Sequence, residues 1–147
     1  MATEPSSSVI SEPAYKQNMP RKPESARTAR QMVSTALDAW GLGEAADAAH
    51  LVVTELVANA VQHARLDTIL VTTQRRDAFT VRVAVVDRSR ETPQRHHADE
   101  DEEHGRGLEL IQVLSHGHWG VDPLPWGKRV WADLGIASRP GDPGGAP

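Results

Sequence analysis

The chain has 147 residues, a formal net charge of -4 and no cysteine. That length fits one ordinary domain with its own core, and the lack of cysteine excludes disulfides, thiolate metal ligands and a cysteine nucleophile. The acidic balance argues against a nucleic-acid partner, and no segment has the apolar length of a membrane span or the apolar centre of a secretory signal, so we expect a cytoplasmic protein without a membrane partner.

Both ends of the chain have compositions that are typical of disorder. Residues 1–22 are rich in Ser, Pro and Glu without periodicity, and residues 137–147 are rich in Pro and Gly. We therefore expect a disordered N-terminal tail, one folded domain over residues 23–136 and a disordered C-terminal tail.

Two helical patterns open the predicted domain. The first begins at residues 23–25, repeats apolar residues at helical spacing up to Trp40, and stops at Gly41 and Gly43. The second, over residues 44–64, has a broad apolar arc and is the strongest helical pattern in the chain.

Polar side chains lie along one border of the arc of this second helix. At about 100° per residue, Glu55, Asn59 and Gln62 fall together, with His63 not far off. A carboxylate and a carboxamide at i and i+4 share a helix face, where one can handle a proton while the other holds a hard cation. Asn also has a low helix propensity, so its position inside this helix needs an explanation other than propensity.

The period then changes to two, which predicts strands. Residues 68–73 and 79–87 form a predicted hairpin around a polar turn at residues 74–77, and residues 88–104 read as a long, acidic, mobile loop. A third helix is expected over Gly105–Leu114, followed by strands at residues 119–121 and 129–134. This order predicts an α+β fold: a two-layer α/β sandwich whose mixed, mostly antiparallel sheet carries helices on one face.

Three segments, in this order, resemble the motifs of the GHKL (Bergerat-fold) ATPases. ELVANAVQHA resembles the N box, VAVVDRS the strand and aspartate of the first glycine box, and HGRGLELI the second glycine box, while WGKRVWADL resembles the last strand. Within that group, the chain is most similar to the anti-sigma-factor serine/threonine kinases of the actinobacterial type. The resemblance spans roughly residues 24–135.

The resemblance implies a role for each matching position. Glu55 would be the general base, Asn59 would ligate Mg²⁺, and Asp87 would accept a hydrogen bond from the exocyclic amine of adenine. The glycines would let backbone amides approach the phosphates, and Arg106 between them has either a phosphate contact or a surface salt bridge as its role. The full set of expected nucleotide contacts is Asn59, His63, Asp87, Gly105, Arg106, Gly107 and Leu108.

The resemblance also implies a function. We expect a protein that binds ATP and Mg²⁺, phosphorylates a Ser or Thr of an anti-anti-sigma-like partner protein and holds a sigma factor; its homologues often form homodimers. The alternative is a non-catalytic interaction module of the same fold that binds a protein partner without nucleotide turnover. Arg88, Ser89 and Arg129 favour this alternative, because they depart from the family pattern around the adenine site.

Overall fold

The computed structural model describes residues 13–63, 66–88 and 105–136, with only the backbone described at residues 105 and 106. These residues form five strands and three α-helices: β1 (Ala14–Pro20), α1 (Ser25–Trp40), α2 (Ala46–His63), β2 (Thr68–Asp77), β3 (Thr80–Arg88), α3 (Gly105–Leu114), β4 (Trp119–Leu124) and β5 (Gly127–Gly135). The predicted α+β sandwich is confirmed. In the described part of the chain, no helix is both long enough and apolar enough to cross a membrane.

The five strands form one sheet in the order β1-β2-β3-β5-β4. Every neighbouring pair is antiparallel, so the sheet is antiparallel throughout rather than mixed. Val71, Val85 and Val130 lie side by side across the three central strands and are buried beneath the helices. Because side chains alternate along a strand, the intervening residues form a second face, the open face, which points away from the helices. On this face, Ala84 and Val86 of β3 are nonetheless buried.

Helix α2 is the centre of the helical layer. It contacts α1, α3, β3 and β5, and its fully buried side chains include Val52, Val53 and Val57. The turn before it depends on Gly41, whose φ of 71° places it in the left-handed region as the C-cap of α1. The amide of Leu42 then donates to the carbonyl of Leu37, which is the hydrogen-bond pattern of a glycine-capped helix end.

The prediction of a disordered tail over residues 1–22 is wrong for Ala14–Pro20, which forms β1 and pairs with β2. Met19 is only 2% exposed in the core, and the ring of Tyr15 lies 5.5 Å from that of Trp40. Most other β1 side chains are exposed, because the strand lies at the sheet edge and is held by backbone pairing. The sequence of β1 therefore lacks the alternating apolar pattern that predicts a strand. Residues 1–12 and the predicted C-terminal tail, 137–147, lie outside the described residues.

The predicted turn at residues 74–77 is also displaced. These residues continue β2, and the turn lies at Ala78 and Phe79. The carboxylate of Asp77 accepts a hydrogen bond from the amide of Phe79 at 2.9 Å, which closes the turn. The side chains of β2 are polar in this segment, but pairing with β3 continues through it, with Arg75 opposite the buried Val81.

Candidate functional site

The predicted polar stripe of α2 lies where the sequence places it, at the border of the buried arc. Glu55 and Asn59 are half-buried, next to the fully buried Leu56, Val57 and Ala60. The buried residues fix the rotation of the helix about its axis. That rotation turns the two polar side chains towards α3.

The first turn of α3 meets Glu55 at Gly107. A Cβ atom placed on Gly107 would lie 2.7 Å from Oε1 of Glu55, closer than real Cβ atoms approach an oxygen. The carboxylate therefore occupies space that any larger residue at position 107 would take. This contact joins the predicted N box to the second glycine box.

Glu55 and Asn59 share a small cavity with the start of α3. Its volume is about 70 Å³, and its lining is Glu55, Ala58, Asn59, Gln62, Gly107, Leu108 and Ile111. Drug-sized ligands occupy pockets of roughly 300–1,000 Å³, so this cavity has room for part of a nucleotide at most. The predicted loop over residues 88–104 begins at Arg88, but Arg88 is the last residue of β3, and residues 89–104 lie outside the described residues.

The oxygen atoms at this cavity fit the magnesium expected from the resemblance. A carboxylate and two carboxamides line it, and hard oxygen donors of this kind suit Mg²⁺, which usually takes only one or two protein ligands beside phosphate oxygens and water. In the described part of the chain, no group of three or more His, Asp or Glu side chains forms a protein-only metal cluster. The role of Asn59 as the magnesium ligand stays a prediction.

Asp87 is buried at the end of β3, on the helix-covered side of the sheet. It is 5% exposed, and its Oδ2 atom lies 2.9 Å from Nζ of Lys128, the residue opposite it on β5. Asp87 does not line the cavity at Glu55. The site thus has two predicted ends. The end predicted to hold the phosphates is formed by α2 and α3, and the end predicted to hold adenine is formed by β3 and β5.

The comparison with protein families agrees with this arrangement. Residues 19–122 match the family model described as the histidine kinase-like ATPase domain, which covers well over half of the chain. The chain belongs to this family. A comparison with curated proteins finds no match. Membership of this family implies ATP binding. The matched segment begins at Met19 and so includes the end of β1, which the sequence analysis assigned to the N-terminal tail.

The other predicted residues of this ATPase domain are only partly located. His63 is the last residue of α2 and does not line the cavity, and Leu108 does line it. Gly105 begins α3, while the side chain of Arg106 lies outside the described part, so its phosphate contact stays a prediction. The first turn of α3 itself contains no acidic residue, and the N-terminus of a helix favours an anion.

Sequence reasoning did not single out Lys128, the ion-pair partner of Asp87. Alternation along β5 places Lys128 on the buried side of the strand with Val130 and Ala132, but its position opposite Asp87 depends on the register of β3 and β5. Arg129, which the sequence interpretation weighed against nucleotide binding, faces the opposite side. Its guanidinium donates to Asp122 at 2.8 Å and 3.1 Å on the open face of the sheet.

Proposed function

We propose that this ATPase domain transfers the γ-phosphoryl group of ATP to a Ser or Thr hydroxyl of a partner protein, as the anti-sigma-factor kinases do. The observation that carries the proposal is the contact between Glu55 and Gly107 beside Asn59. It brings a proton acceptor, an oxygen ligand and a helix N-terminus together at one cavity.

Each residue would have a defined task. The Glu55 carboxylate accepts the proton that the attacking hydroxyl loses as its oxygen bonds to phosphorus and ADP leaves, and a positioned base of this kind contributes roughly 10²- to 10⁴-fold. The amides at the start of α3 hold the phosphate oxygens, and the absence of a side chain at Gly107 keeps that approach open. Asn59 would hold Mg²⁺, which neutralises phosphate charge when it is bound.

Asp87 supports the choice of adenine as the base. One of its oxygens contacts Lys128, and a carboxylate has two oxygens with about four sites for donors, so it retains capacity for an amine. Arg129 supports the non-catalytic alternative less strongly than the sequence suggested, because its side chain is paired on the other face of the sheet.

Calorimetry with Mg-ATP tests the first step of the proposal. Absence of binding up to millimolar nucleotide would reject it and favour a module that binds partners only. In a thermal unfolding assay, nucleotide at about 100 times its dissociation constant should stabilise the fold by roughly 2.7 kcal/mol.

Two variants separate binding from chemistry. Asn59→Ala should abolish the magnesium-dependent part of binding, whereas Glu55→Gln keeps the shape of the side chain and should retain binding. Phosphotransfer is followed with γ-labelled ATP and an extract of the source cells, with phosphoserine and phosphothreonine as the readout. Labelling by the wild type that persists with Glu55→Gln would show that Glu55 is not the base.

The regulatory part of the proposal follows the same subtype. The phosphorylated partner would be an anti-anti-sigma-like protein, and the unphosphorylated partner would compete with a sigma factor for this chain. Co-purification with a sigma factor that is lost on addition of the unphosphorylated partner would support it. Tight binding of both proteins at the same time would contradict the switch.

A further inference from the structure

The ion pair between Asp87 and Lys128 lies where β3 and β5 run side by side under the helices. The two charged atoms are 2.9 Å apart, and the side chains are 7% and 18% exposed. Gly127, the residue before Lys128, allows this arrangement, since a Cβ there would overlap the carbonyl oxygen of Asp87 and lie 3.0 Å from Cα of Arg88.

The fold alone gives little reason for a charged pair at this position. The next layer of the same two strands is the apolar pair Val85 and Val130. Removing two charges from water is costly, and replacing a buried ion pair with apolar residues is often neutral or stabilising. Asp87 stands at the position to which the resemblance assigns adenine recognition, so its charged partner Lys128 is a candidate for a role in binding the base.

We propose that Lys128 and Asp87 together read the edge of the adenine ring, with Lys128 donating a hydrogen bond to ring nitrogen N1 while Asp87 accepts one from the exocyclic amine. This inference rests on the proposed ATP binding and adds Lys128 as a residue that determines base specificity. The carboxylate supplies the acceptor and the neighbouring ammonium the donor.

Adenine fits this pair by its chemistry. The exocyclic amine of adenine donates a hydrogen bond, and the adjacent N1 atom accepts one. Asp87 accepts and Lys128 donates, so the two sets of groups are complementary. Lysine has three N–H donors, so the ammonium can contact Asp87 and N1 at once. Guanine in the same orientation offers a carbonyl to the carboxylate and an N–H group to the ammonium, and both contacts are repulsive.

An analogue that lacks only the N1 acceptor provides the test. In 1-deaza-ATP a C–H group replaces N1, so the exocyclic amine is kept and the hydrogen bond from Lys128 is lost. Calorimetry with wild-type protein and magnesium should show about 10- to 100-fold weaker binding of 1-deaza-ATP than of ATP, the usual effect of losing a hydrogen bond to a charged group. This comparison requires no substitution in the protein.

The variant Lys128→Met then assigns that loss to one side chain. Its preference for ATP over 1-deaza-ATP should fall below about threefold, whereas Arg129→Met, which removes the same charge from the next residue on the opposite face, should keep the wild-type preference. Circular dichroism establishes that both variants are folded. If Lys128→Met is unfolded, Lys128→Arg, which keeps a cation, replaces it. The preference of Lys128→Arg for ATP over 1-deaza-ATP should be altered but not lost.

The outcomes separate this inference from the proposed function. Equal binding of ATP and 1-deaza-ATP by the wild type, or an undiminished preference in Lys128→Met, overturns the role of Lys128 and leaves ATP binding intact. Tighter ATP binding by Lys128→Met also overturns it, because the lysine would then compete with adenine for Asp87. If the wild type binds neither nucleotide, the proposed function itself fails and this inference fails with it.

Discussion

The substitution Gly107→Ala should reduce catalysis without reducing stability. The added Cβ would lie 2.7 Å from Oε1 of Glu55, and ordinary contact begins at 3.4 Å, so the carboxylate must move by about 0.7 Å. The obstructing atom is the end of a flexible side chain, which can rotate away. Alanine is also favoured over glycine in a helix by up to about 1 kcal/mol, so the free energy of unfolding should be unchanged or slightly higher.

The displacement acts on the atom that would accept the proton. Misplacing a catalytic group by 1 Å costs on the order of 10²-fold, so a shift of this size should lower the rate by roughly 10- to 100-fold. ADP formation from Mg-ATP, with water in place of the partner hydroxyl, measures the rate. Urea unfolding measures the stability, and calorimetry shows whether nucleotide still binds.

The matched control for this substitution is Gly43→Ala. A Cβ on Gly43 meets no atom within 4 Å, and the residue lies at the opposite end of α2 from the cavity, so ADP formation should be unchanged. If Gly107→Ala formed ADP at the wild-type rate, Glu55 would not be the base or would not depend on the glycine for its position. If Gly107→Ala were strongly destabilised, the side chain could not yield as described.

Three further predictions concern stability. Gly127→Ala should lower the free energy of unfolding in urea by about 2–4 kcal/mol, because the Cβ would overlap the backbone of β3, which cannot rotate away; a loss below 0.5 kcal/mol would contradict that contact. Arg82→Met should cost about 1 kcal/mol in the same assay, since it leaves Asp133, now bound at 2.6 Å and 3.0 Å, without its partner at a site that is 21% exposed. A hydrogen bond from Arg129 lowers the pKa of Asp122 below 3.8, so this pair stabilises the fold above pH 3.8 and loses its effect as the pH falls through the lowered value. The unfolding free energies of wild type and Arg129→Met should therefore converge in acid, and a constant difference down to pH 2 would refute the linkage.

Helical spacing was enough to predict the parts of the fold that hold Glu55, Asn59 and Gly107. The third helix begins and ends at the predicted residues, Gly105 and Leu114, and the broad arc of α2 gave the right border for Glu55 and Asn59. Both predictions rest on side-chain burial within one element. Local patterns record that kind of burial directly.

Features that depend on pairing between strands could not be predicted from the pattern of a single segment. Strand β1 shows no alternation, because an edge strand can be held by backbone hydrogen bonds to β2 alone. The position of Lys128 opposite Asp87 depends on the register of β3 and β5, and a shift of one residue would have placed Arg129 there instead. The two ends of the candidate site therefore differ in how far sequence could anticipate them.

The packing of α2 links the stability of this domain to the position of Glu55. Successive residues of a helix are rotated by about 100°, so a rotation of α2 by a fraction of that angle would carry Glu55 away from Gly107. The fully buried Val53 and Val57 oppose such a rotation, because they are packed in the same core as Val83 and Val130 of the sheet. Close-packed protein interiors do not deform smoothly, so core substitutions that shift α2 should disturb the contact at Gly107 before they unfold the domain.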